Sequence, residues 1–394
     1  MLEELVNTFK NKKVLISGAS GFIGSRLIHI LSSNTKIEID ALIHSYSNAI
    51  RIARYPIKMI KCDISNKDDI SLLAKDYDFV FHLAYGNSGD KKAQQKVTVE
   101  GTKNLLSHFK DTAIEKFVHI STMMVYGTLN EGTTNETLPY KYSNDSYADS
   151  KIDAEKLVLE YGKNFSLPVV ILQPSAVYGP WAPSYTVYPL DQLKSGKVIL
   201  PDDGKGLLNI VYIDDVIHAI LLAANSQKAL GEKFLISSGT PVTYKEFYTK
   251  YEQMLGTKSL LFFSLDEIKK LLKQKNKEHS NLFIVKSFLK QKSTLNFISS
   301  LPAARPIIDV LKYYIPKEKR EKIKGAVSTN NSNSEKANTQ DNINFNPIEE
   351  YKFMATKAQI SIEHANKILG FSPSYDLERG MSKTEEWAKW AKII

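Results

Sequence analysis

The sequence has little of several features that mark whole classes of protein. It holds one cysteine, Cys62, among 394 residues, which excludes an internal disulfide framework and a cysteine-based zinc site. It has no run of about 18 uncharged apolar residues, so we expect no transmembrane helix. The opening stretch Met1–Asn7 is acidic and leads straight into a strand, unlike a secretory signal. Metal-ligand spacings and internal repeats are absent too. We therefore expect a cytoplasmic globular protein without a metal.

Positive charge is concentrated in one part of the chain. The net charge is +9, from 52 basic and 43 acidic residues. Residues 251–325 contain 16 Lys or Arg against 7 Asp or Glu, which leaves the remainder neutral. A nucleic-acid surface would spread or stripe its charge, so we expect a neutral body with a basic insertion over 256–325 and no nucleic-acid partner. The following stretch, 326–346, is rich in Asn and Ser and is expected to be a flexible linker.

Apolar runs alternate with helical spacing through the first half of the chain. This alternation predicts a doubly wound parallel sheet with helices on both faces. The predicted strands are 13–18, 37–43, 58–63, 78–84, 116–121 and 168–172, and the predicted helices include 22–31, 98–109 and 147–161. After residue 173 the alternation of strand and helix patterns becomes irregular. We expect a dinucleotide-binding domain, 1–173 with about 207–238, and a smaller substrate domain, 174–206 with 239–394.

A glycine-rich turn joins the first strand to the first helix. It reads Gly18-Ala-Ser20-Gly21-Phe22-Ile23-Gly24. The first glycine permits the sharp turn, the second lets a pyrophosphate approach, and the third lets helix and strand pack closely. The helix N-terminus adds N–H groups and partial positive charge for the phosphates. The turn therefore predicts a Rossmann-type nucleotide site.

The end of the second strand bears on the choice of dinucleotide. An acidic residue there would bind the ribose 2′-OH of NAD, but the position holds His44, with Arg51 close behind. Cations at this place can accept a 2′-phosphate, which favours NADP over NAD. Asp40 comes too early, in mid-strand. Asp63 and Ile64 end the third strand, where a carboxylate can meet the adenine amino group.

Tyr147 and Lys151 stand four residues apart on one face of a predicted helix. A lysine ammonium beside a phenol favours the phenolate, so we expect Lys151 to lower the pKa of Tyr147 into a useful range. Thr122, just after the fifth strand, is placed to hold the substrate oxygen. The three residues form the predicted catalytic set.

Together these residues resemble the extended short-chain dehydrogenase/reductases, the NAD-dependent epimerase/dehydratase group, over about 12–256 and 359–390. The resemblance implies that Tyr147 moves the proton, Lys151 also holds the ribose, and Thr122 orients the oxygen. It extends the cofactor-contacting set to Leu83, Ala84, Pro174, Ala176 and Val177. Candidate substrate residues are Tyr85, Met123, Trp181 and Tyr185.

The departures from the family pattern are informative. Dehydratases of the group carry Asp-Glu after the catalytic threonine, but here Met123 and Met124 follow. Thioethers do no acid–base chemistry, so 4,6-dehydratase activity is disfavoured. Gln173 replaces the usual Arg before the proline that ends the sixth strand. Asn209 stands near the place of an Arg that often binds pyrophosphate in sugar-nucleotide enzymes.

The sequence leaves three functions open. The first is an NAD(P)-dependent epimerase or reductase that moves a hydride at a secondary alcohol or ketone carbon, most often of a nucleotide sugar in this family. The second is an NADPH-dependent reductase of a non-sugar ketone or sterol-like substrate. The third is a cofactor-binding regulatory or nucleic-acid-binding protein on the same fold.

The basic insertion has two interpretations. Apolar clusters such as Leu260–Phe263 lie among lysines, which is typical of an interfacial amphipathic helix and also of a lid over a pocket. The first interpretation predicts contact with a membrane surface or an acidic partner. The resemblance also implies a homodimer through helices near 98–109 and 147–161.

Overall fold

The computed structural model describes residues 2–86, 89–128, 130–278 and 343–394, with backbone alone for 274–278 and 344. The strands are β1 (Lys13–Ser17), β2 (Glu38–Ile43), β3 (Lys58–Lys61), β4 (Phe79–His82), β5 (Lys116–Ile120), β6 (Glu131–Thr134), β7 (Val169–Pro174), β8 (Ala176–Tyr178), β9 (Lys197–Pro201), β10 (Leu207–Leu208), β11 (Ile210–Tyr212), β12 (Lys233–Ile236), β13 (Val242–Thr243), β14 (Leu260–Phe263), β15 (Ile343–Asn344) and β16 (Lys357–Ile360).

Helices alternate with these strands along the chain. They are α1 (Leu2–Asn7), α2 (Phe22–Leu31), α3 (Lys67–Ser71), α4 (Lys91–Gln95), α5 (Gly101–Phe109), α6 (Ser146–Phe165), α7 (Tyr188–Ser195), α8 (Ile213–Asn225), α9 (Tyr244–Leu255), α10 (Leu265–Glu278), α11 (Ile348–Met354), α12 (Glu363–Leu369) and α13 (Leu377–Trp390). Among the described helices, none joins sufficient length to the apolar composition that crossing a membrane requires.

A parallel sheet of seven strands forms the centre of the molecule. Its strand order is β12-β7-β5-β4-β1-β2-β3, and every pairing within it is parallel. Residues of β4, β5 and β7 are buried throughout, as expected for strands covered by helices on both faces. The predicted Rossmann-type α/β class is confirmed.

The second half of the chain adds small sheets beside this core. β8 pairs with β11, and β6 pairs with β16 from the C-terminal segment. β9 lies between β14 and β15 in a three-stranded parallel sheet. β12 returns to the central sheet beside β7. The predicted division into two domains stays a prediction.

Two expectations about the segment after residue 256 are wrong. Leu260–Phe263 is strand β14 rather than part of an amphipathic helix, because β9 offers it a parallel partner. The predicted linker 326–346 ends too late, since Ile343 pairs with Lys197 of β9 and Asn346 is buried. Residues 326–342 and most of the basic insertion lie outside the described residues.

Candidate active site

The glycine turn leaves no room for side chains. Gly18 has a left-handed φ of 70°, and a Cβ there would lie 2.7 Å from the backbone nitrogen of Ala84. A Cβ on Gly24 would lie 2.3 Å from the Gly18 carbonyl oxygen. Gly21 is the N-cap of α2, and it makes no side-chain capping hydrogen bond to the first N–H groups of the helix. This cradle fits a dinucleotide pyrophosphate, which needs close backbone approach and N–H donors.

The residues expected to contact the adenosine half of the dinucleotide differ in their exposure and in their contacts. His44 is exposed, while the Arg51 guanidinium lies 4.8 Å from the ring centre of Trp181. Asp40 is buried and accepts a hydrogen bond of 2.6 Å from Tyr77, so its carboxylate is turned into the core. The Asp63 carboxylate accepts hydrogen bonds from the backbone and hydroxyl of the serine two residues later.

A buried hydrogen-bond chain lies beneath the glycine turn. Ser17 Oγ is 2.6 Å from His82 Nδ1, and His82 Nε2 is 2.8 Å from Thr102 Oγ1. Thr102 donates to the Thr98 carbonyl, so it accepts from His82 Nε2–H, and Nδ1 accepts from Ser17. Burial, and then the charge of Lys151, lowers the pKa of His82 to about 3. The imidazole is therefore neutral and ties β1, β4 and α5 together.

Three consecutive strand ends open into one cavity of about 480 Å³. Tyr85 follows β4, Thr122 follows β5 and Ser175 follows β7, and all three line it. Ligands of doubly wound sheets bind at this carboxyl edge. Tyr147 lines the same cavity as Thr122 and meets Tyr85 edge-on at 5.4 Å between ring centres.

Lys151 is buried below this wall. Its Nζ donates a 2.8 Å hydrogen bond to the Ile120 carbonyl and lies 5.4 Å from the ring centre of Tyr85. Burial lowers the pKa of Lys151 to about 8, and the negative charge of Glu155 opposes that shift. The side chain is a cation poised to lose its proton at slightly alkaline pH.

The pKa of Tyr147 is raised, whereas the sequence predicted that it is lowered. Burial is the main cause, and the Thr122 side chain only partly offsets the rise. The Lys151 ammonium donates its hydrogen bond to the Ile120 carbonyl. In this form of the protein Tyr147 is a neutral phenol, ready to give a proton.

The candidate substrate residues divide into two groups. Tyr85, Met123 and Tyr185 line the cavity, as does Ala176 of the expected cofactor loop. Trp181 is not among the lining residues; it is 42% exposed and packs against Trp387 with ring centres 5.1 Å apart. Among the described residues, no group of three or more possible ligands could hold a metal ion.

Sequence reasoning missed two polar supports of the site. Glu155 is fully buried one turn beyond Lys151, and it accepts hydrogen bonds from Tyr140 and Gln173. Asn209 donates to Ala358 O and accepts from the Ile360 backbone, so its amide joins the cavity wall to β16. Both could have been suspected from the sequence. Gln173, which donates to Glu155, departs from the family pattern, and so does Asn209.

Known proteins with similar sequence or structure fall into one family. The model of the NAD dependent epimerase/dehydratase family matches residues 14–237. The chain is 27% identical over 253 residues to a 3-beta-hydroxysteroid dehydrogenase of Mycolicibacterium neoaurum, covering 60% of this chain and 68% of that protein. The solved structure of a UDP-glucuronic acid 4-epimerase from Bacillus cereus in complex with NAD superposes with a TM-score of 0.66, at 22% identity and over 96% and 99% of the two chains.

A third relative bears on the dehydratase question. The chain is 30% identical over 235 residues to a dTDP-D-glucose 4,6-dehydratase of Dictyostelium discoideum, covering 53% of this chain and 54% of that protein. The comparisons therefore do not support the expectation that this activity is disfavoured. The family match spans more than half of the 394 residues and includes the glycine turn, Thr122, Tyr147 and Lys151. The chain belongs to the NAD dependent epimerase/dehydratase family.

Proposed function

We propose that this protein is an NAD(P)-dependent oxidoreductase or epimerase that transfers a hydride at a secondary alcohol or ketone carbon. The observation that carries the proposal is that Thr122 and Tyr147 line one cavity at the carboxyl edge of the parallel sheet. Gly18 lies against the backbone of Ala84, and the next residue, Tyr85, lines the cavity beside Tyr147. The glycine turn that would bind the dinucleotide therefore lies close to Tyr147, the proposed proton donor.

The nicotinamide ring would supply or accept the hydride when the dinucleotide is bound. Thr122 would hold the substrate oxygen by a hydrogen bond. In the reducing direction, the neutral Tyr147 gives its proton to that oxygen as the carbon gains hydride, and the Lys151 charge stabilises the phenolate that remains. In the oxidising direction the proton returns to Tyr147. The backbone at Gly18, Gly21 and the start of α2 would hold the pyrophosphate.

Each of the two substrate classes that the sequence left open has support from a relative. The bacterial relative named a hydroxysteroid dehydrogenase supports a non-sugar ketone or sterol-like substrate. The family, with its epimerases and dehydratases, supports a nucleotide sugar. An epimerase would retain its oxidised ketone and reduce the opposite face, whereas a reductase would release the product.

We also propose a preference for NADP. The support is the half-buried Arg51, held against Trp181, and the exposed His44 at the end of β2, while the Asp40 carboxylate is bonded to Tyr77. Arg51→Ala should weaken NADPH binding about tenfold and NADH binding far less, because only NADPH offers a 2′-phosphate. Fluorescence titration with both nucleotides measures this. Equal losses for the two would contradict the preference.

Hydride transfer is tested with the full chain. Native mass spectrometry first identifies the retained dinucleotide. Turnover is then followed with deuterium-labelled reduced cofactor and panels of nucleotide-keto-sugars and steroid ketones, with product masses scored for gain of deuterium or loss of water. Tyr147→Phe should lower the rate about 10²- to 10⁴-fold without loss of dinucleotide binding. Tyr142→Phe, an exposed tyrosine near the same helix, is the control. Unchanged turnover in Tyr147→Phe would refute the role of Tyr147 as the proton donor, whereas no turnover of any substrate by the wild type would favour a binding protein.

Homodimerisation and contact of 256–325 with a membrane surface or acidic partner stay predictions. The described part of that segment consists of β14 and α10 with their connections. Size-exclusion chromatography with light scattering and vesicle flotation test the two separately.

A further inference from the structure

An arginine and a tryptophan connect two loops at the carboxyl edge of the central sheet. Arg51 Cζ lies over the indole of Trp181, 4.8 Å from its ring centre. Arg51 belongs to the loop that follows β2, and Trp181 to the loop that follows β7 and β8. The sheet order places the ends of β1, β4 and β5 between those of β2 and β7. A dinucleotide held by the glycine turn, which follows β1, therefore lies between the two loops that this contact connects.

Arg51 is the one described arginine whose guanidinium has no acceptor among the described residues. Three other arginines donate hydrogen bonds to a carboxylate, a hydroxyl or a carbonyl of this chain: Arg26, Arg54 and Arg379. Arg51 is half-buried, and its guanidinium makes no hydrogen bond or ion pair with the described part of the chain. A partly desolvated guanidinium needs acceptors, and its planar set of N–H groups matches a phosphate.

The backbone at Trp181 is strained. Its φ is 71°, in the left-handed region that favours glycine and that a bulky residue rarely adopts. The surrounding turn holds this conformation, because Ala182 is fully buried and its backbone N–H donates to the Gly179 carbonyl at 3.1 Å. Strained residues of this kind cluster at ligand sites, where the position of the side chain matters. The strain therefore marks the placement of the indole as functional.

The C-terminal helix supports the indole of Trp181. The side chain is 42% exposed, so burial of apolar surface does not by itself explain its placement. Its ring packs against that of Trp387, with 5.1 Å between ring centres and 57° between ring planes. Trp387 is buried on α13. Trp181 is thus held by α13 and offers a ring face to the guanidinium of Arg51, which such a face attracts.

We propose that Trp181 is a positioning residue for NADP, which holds the Arg51 guanidinium toward the 2′-phosphate of the bound dinucleotide. An arginine that a ring already orders loses less side-chain entropy when the phosphate binds. The inference rests on the proposed preference for NADP. It goes further by assigning part of that preference to a residue outside the β2 loop. Trp181, expected from the sequence to contact the substrate, is thereby assigned to the cofactor.

Calorimetric titration of the full chain with NADPH and with NADH tests the proposal. Trp181→Leu should weaken NADPH binding about three- to tenfold and change NADH binding less than about twofold, because only NADPH carries the phosphate that Arg51 would bind. Trp181→Phe retains a ring face and should bind NADPH more tightly than Trp181→Leu. Trp390→Leu is the matched control, since Trp390 also lies on α13 but is 72% exposed, and it should change neither affinity.

A double variant shows whether Trp181 acts through Arg51. Arg51→Ala combined with Trp181→Leu should bind NADPH no more weakly than Arg51→Ala alone, because the tryptophan then has no guanidinium to position. Additive losses would overturn the inference. Equal losses of NADPH and NADH affinity in Trp181→Leu, or equal NADPH affinity in the leucine and phenylalanine variants, would overturn it too.

The same titrations separate this inference from the proposed function. A loss of NADPH affinity in Arg51→Ala without one in Trp181→Leu would retain the NADP preference and overturn the positioning role. Equal losses of both dinucleotides in Arg51→Ala would overturn both. A wild type without turnover, together with the expected NADPH series, would refute the oxidoreductase and retain the positioning role. Thermal melting verifies folding, and Trp181→Gly, which suits the left-handed backbone, repeats the test if Trp181→Leu does not fold.

Discussion

At the scale of the residue, Gly18 is constrained twice, by its left-handed φ of 70° and by the backbone of Ala84 2.7 Å from the position of a Cβ. We expect Gly18→Ala to weaken dinucleotide binding at least about tenfold, because the turn must open to admit the methyl group. Calorimetric titration measures this. Gly231→Ala is the control, since Gly231 has a φ of 75° but nothing within 4 Å. It should cost about 1 kcal/mol of stability and leave binding intact. Similar binding by both variants would contradict the cradle.

Lys151 supplies a prediction on pH. Its pKa is lowered to about 8, so the ammonium is present below that pH and is lost as pH rises through it. In the proposed mechanism the ammonium stabilises the phenolate that Tyr147 becomes, so reductive turnover should fall above about pH 8. Glu155→Gln removes a charge that raises the pKa of Lys151, so it should move this decline to lower pH. Glu160→Gln, an exposed change on the same helix, should not move it. A decline at the same pH in Glu155→Gln and the wild type would exclude this coupling.

The site residues that lie in local sequence motifs are the ones that the sequence could predict. Gly18, Thr122 and Tyr147 lie within or close to motifs whose local spacing already specifies a turn, a strand end or a helix face. The rest of the cavity wall comes from distant segments, for example Leu208 and Phe353, and no local pattern links them. The wrong direction for the pKa of Tyr147 has the same origin, because burial is a property of the assembled fold.

At the scale of the element, α6 carries both Tyr147 and Lys151, and Asp145 caps its N-terminus by accepting a 2.8 Å hydrogen bond from Ala148 N. Asp145→Ala should reduce the unfolding free energy by about 1 kcal/mol and also lower turnover, because fraying would displace Tyr147. Asn66→Ala removes the cap of α3, away from the cavity, and should cost stability alone. Chemical denaturation and steady-state rates measure the two effects. Unaltered turnover at reduced stability in Asp145→Ala would show that the first turn does not position the phenol.

Elements were predictable to different degrees. The start of α9 belongs to the predictable kind: Thr243 and Glu246 form a capping box whose two partners lie within one turn of sequence. β14 was misread because Leu260–Phe263 is short, lies among lysines, and pairs with β9 some 60 residues earlier. Ile343 likewise joins β9 across a large separation in sequence. Strand pairing at long range is decided by tertiary packing, which a local pattern does not contain.

At the scale of the whole molecule, Asp215 of α8 holds the C-terminal segment. Its buried carboxylate accepts hydrogen bonds of 2.8 and 3.1 Å from the backbone nitrogens of Ser374 and Tyr375. Burial raises its pKa from 3.8 to about 6. The folded protein therefore retains this proton at pH values where the unfolded chain has lost it, so the contribution to stability declines as pH rises from about 4 to 6.

Asp215→Asn removes this titration. The melting temperature of the variant minus that of the wild type should therefore increase as pH rises from about 4 to 6. Asp111→Asn, at a carboxylate that is 78% exposed, is the control and should give a nearly constant difference. Scanning calorimetry across this pH range makes the comparison. A constant difference for Asp215→Asn would show that folding does not raise the pKa of this carboxyl group.

The small sheet around β9 has a consequence for how this architecture can vary. β14 precedes residues 279–342 in the chain and β15 follows them, and both strands pair with β9. The two ends of this long connection are therefore held by one strand outside the central sheet. We expect a change in the length of the connection to leave the cavity at Tyr147 in place, because a longer loop between fixed ends adds little closure entropy.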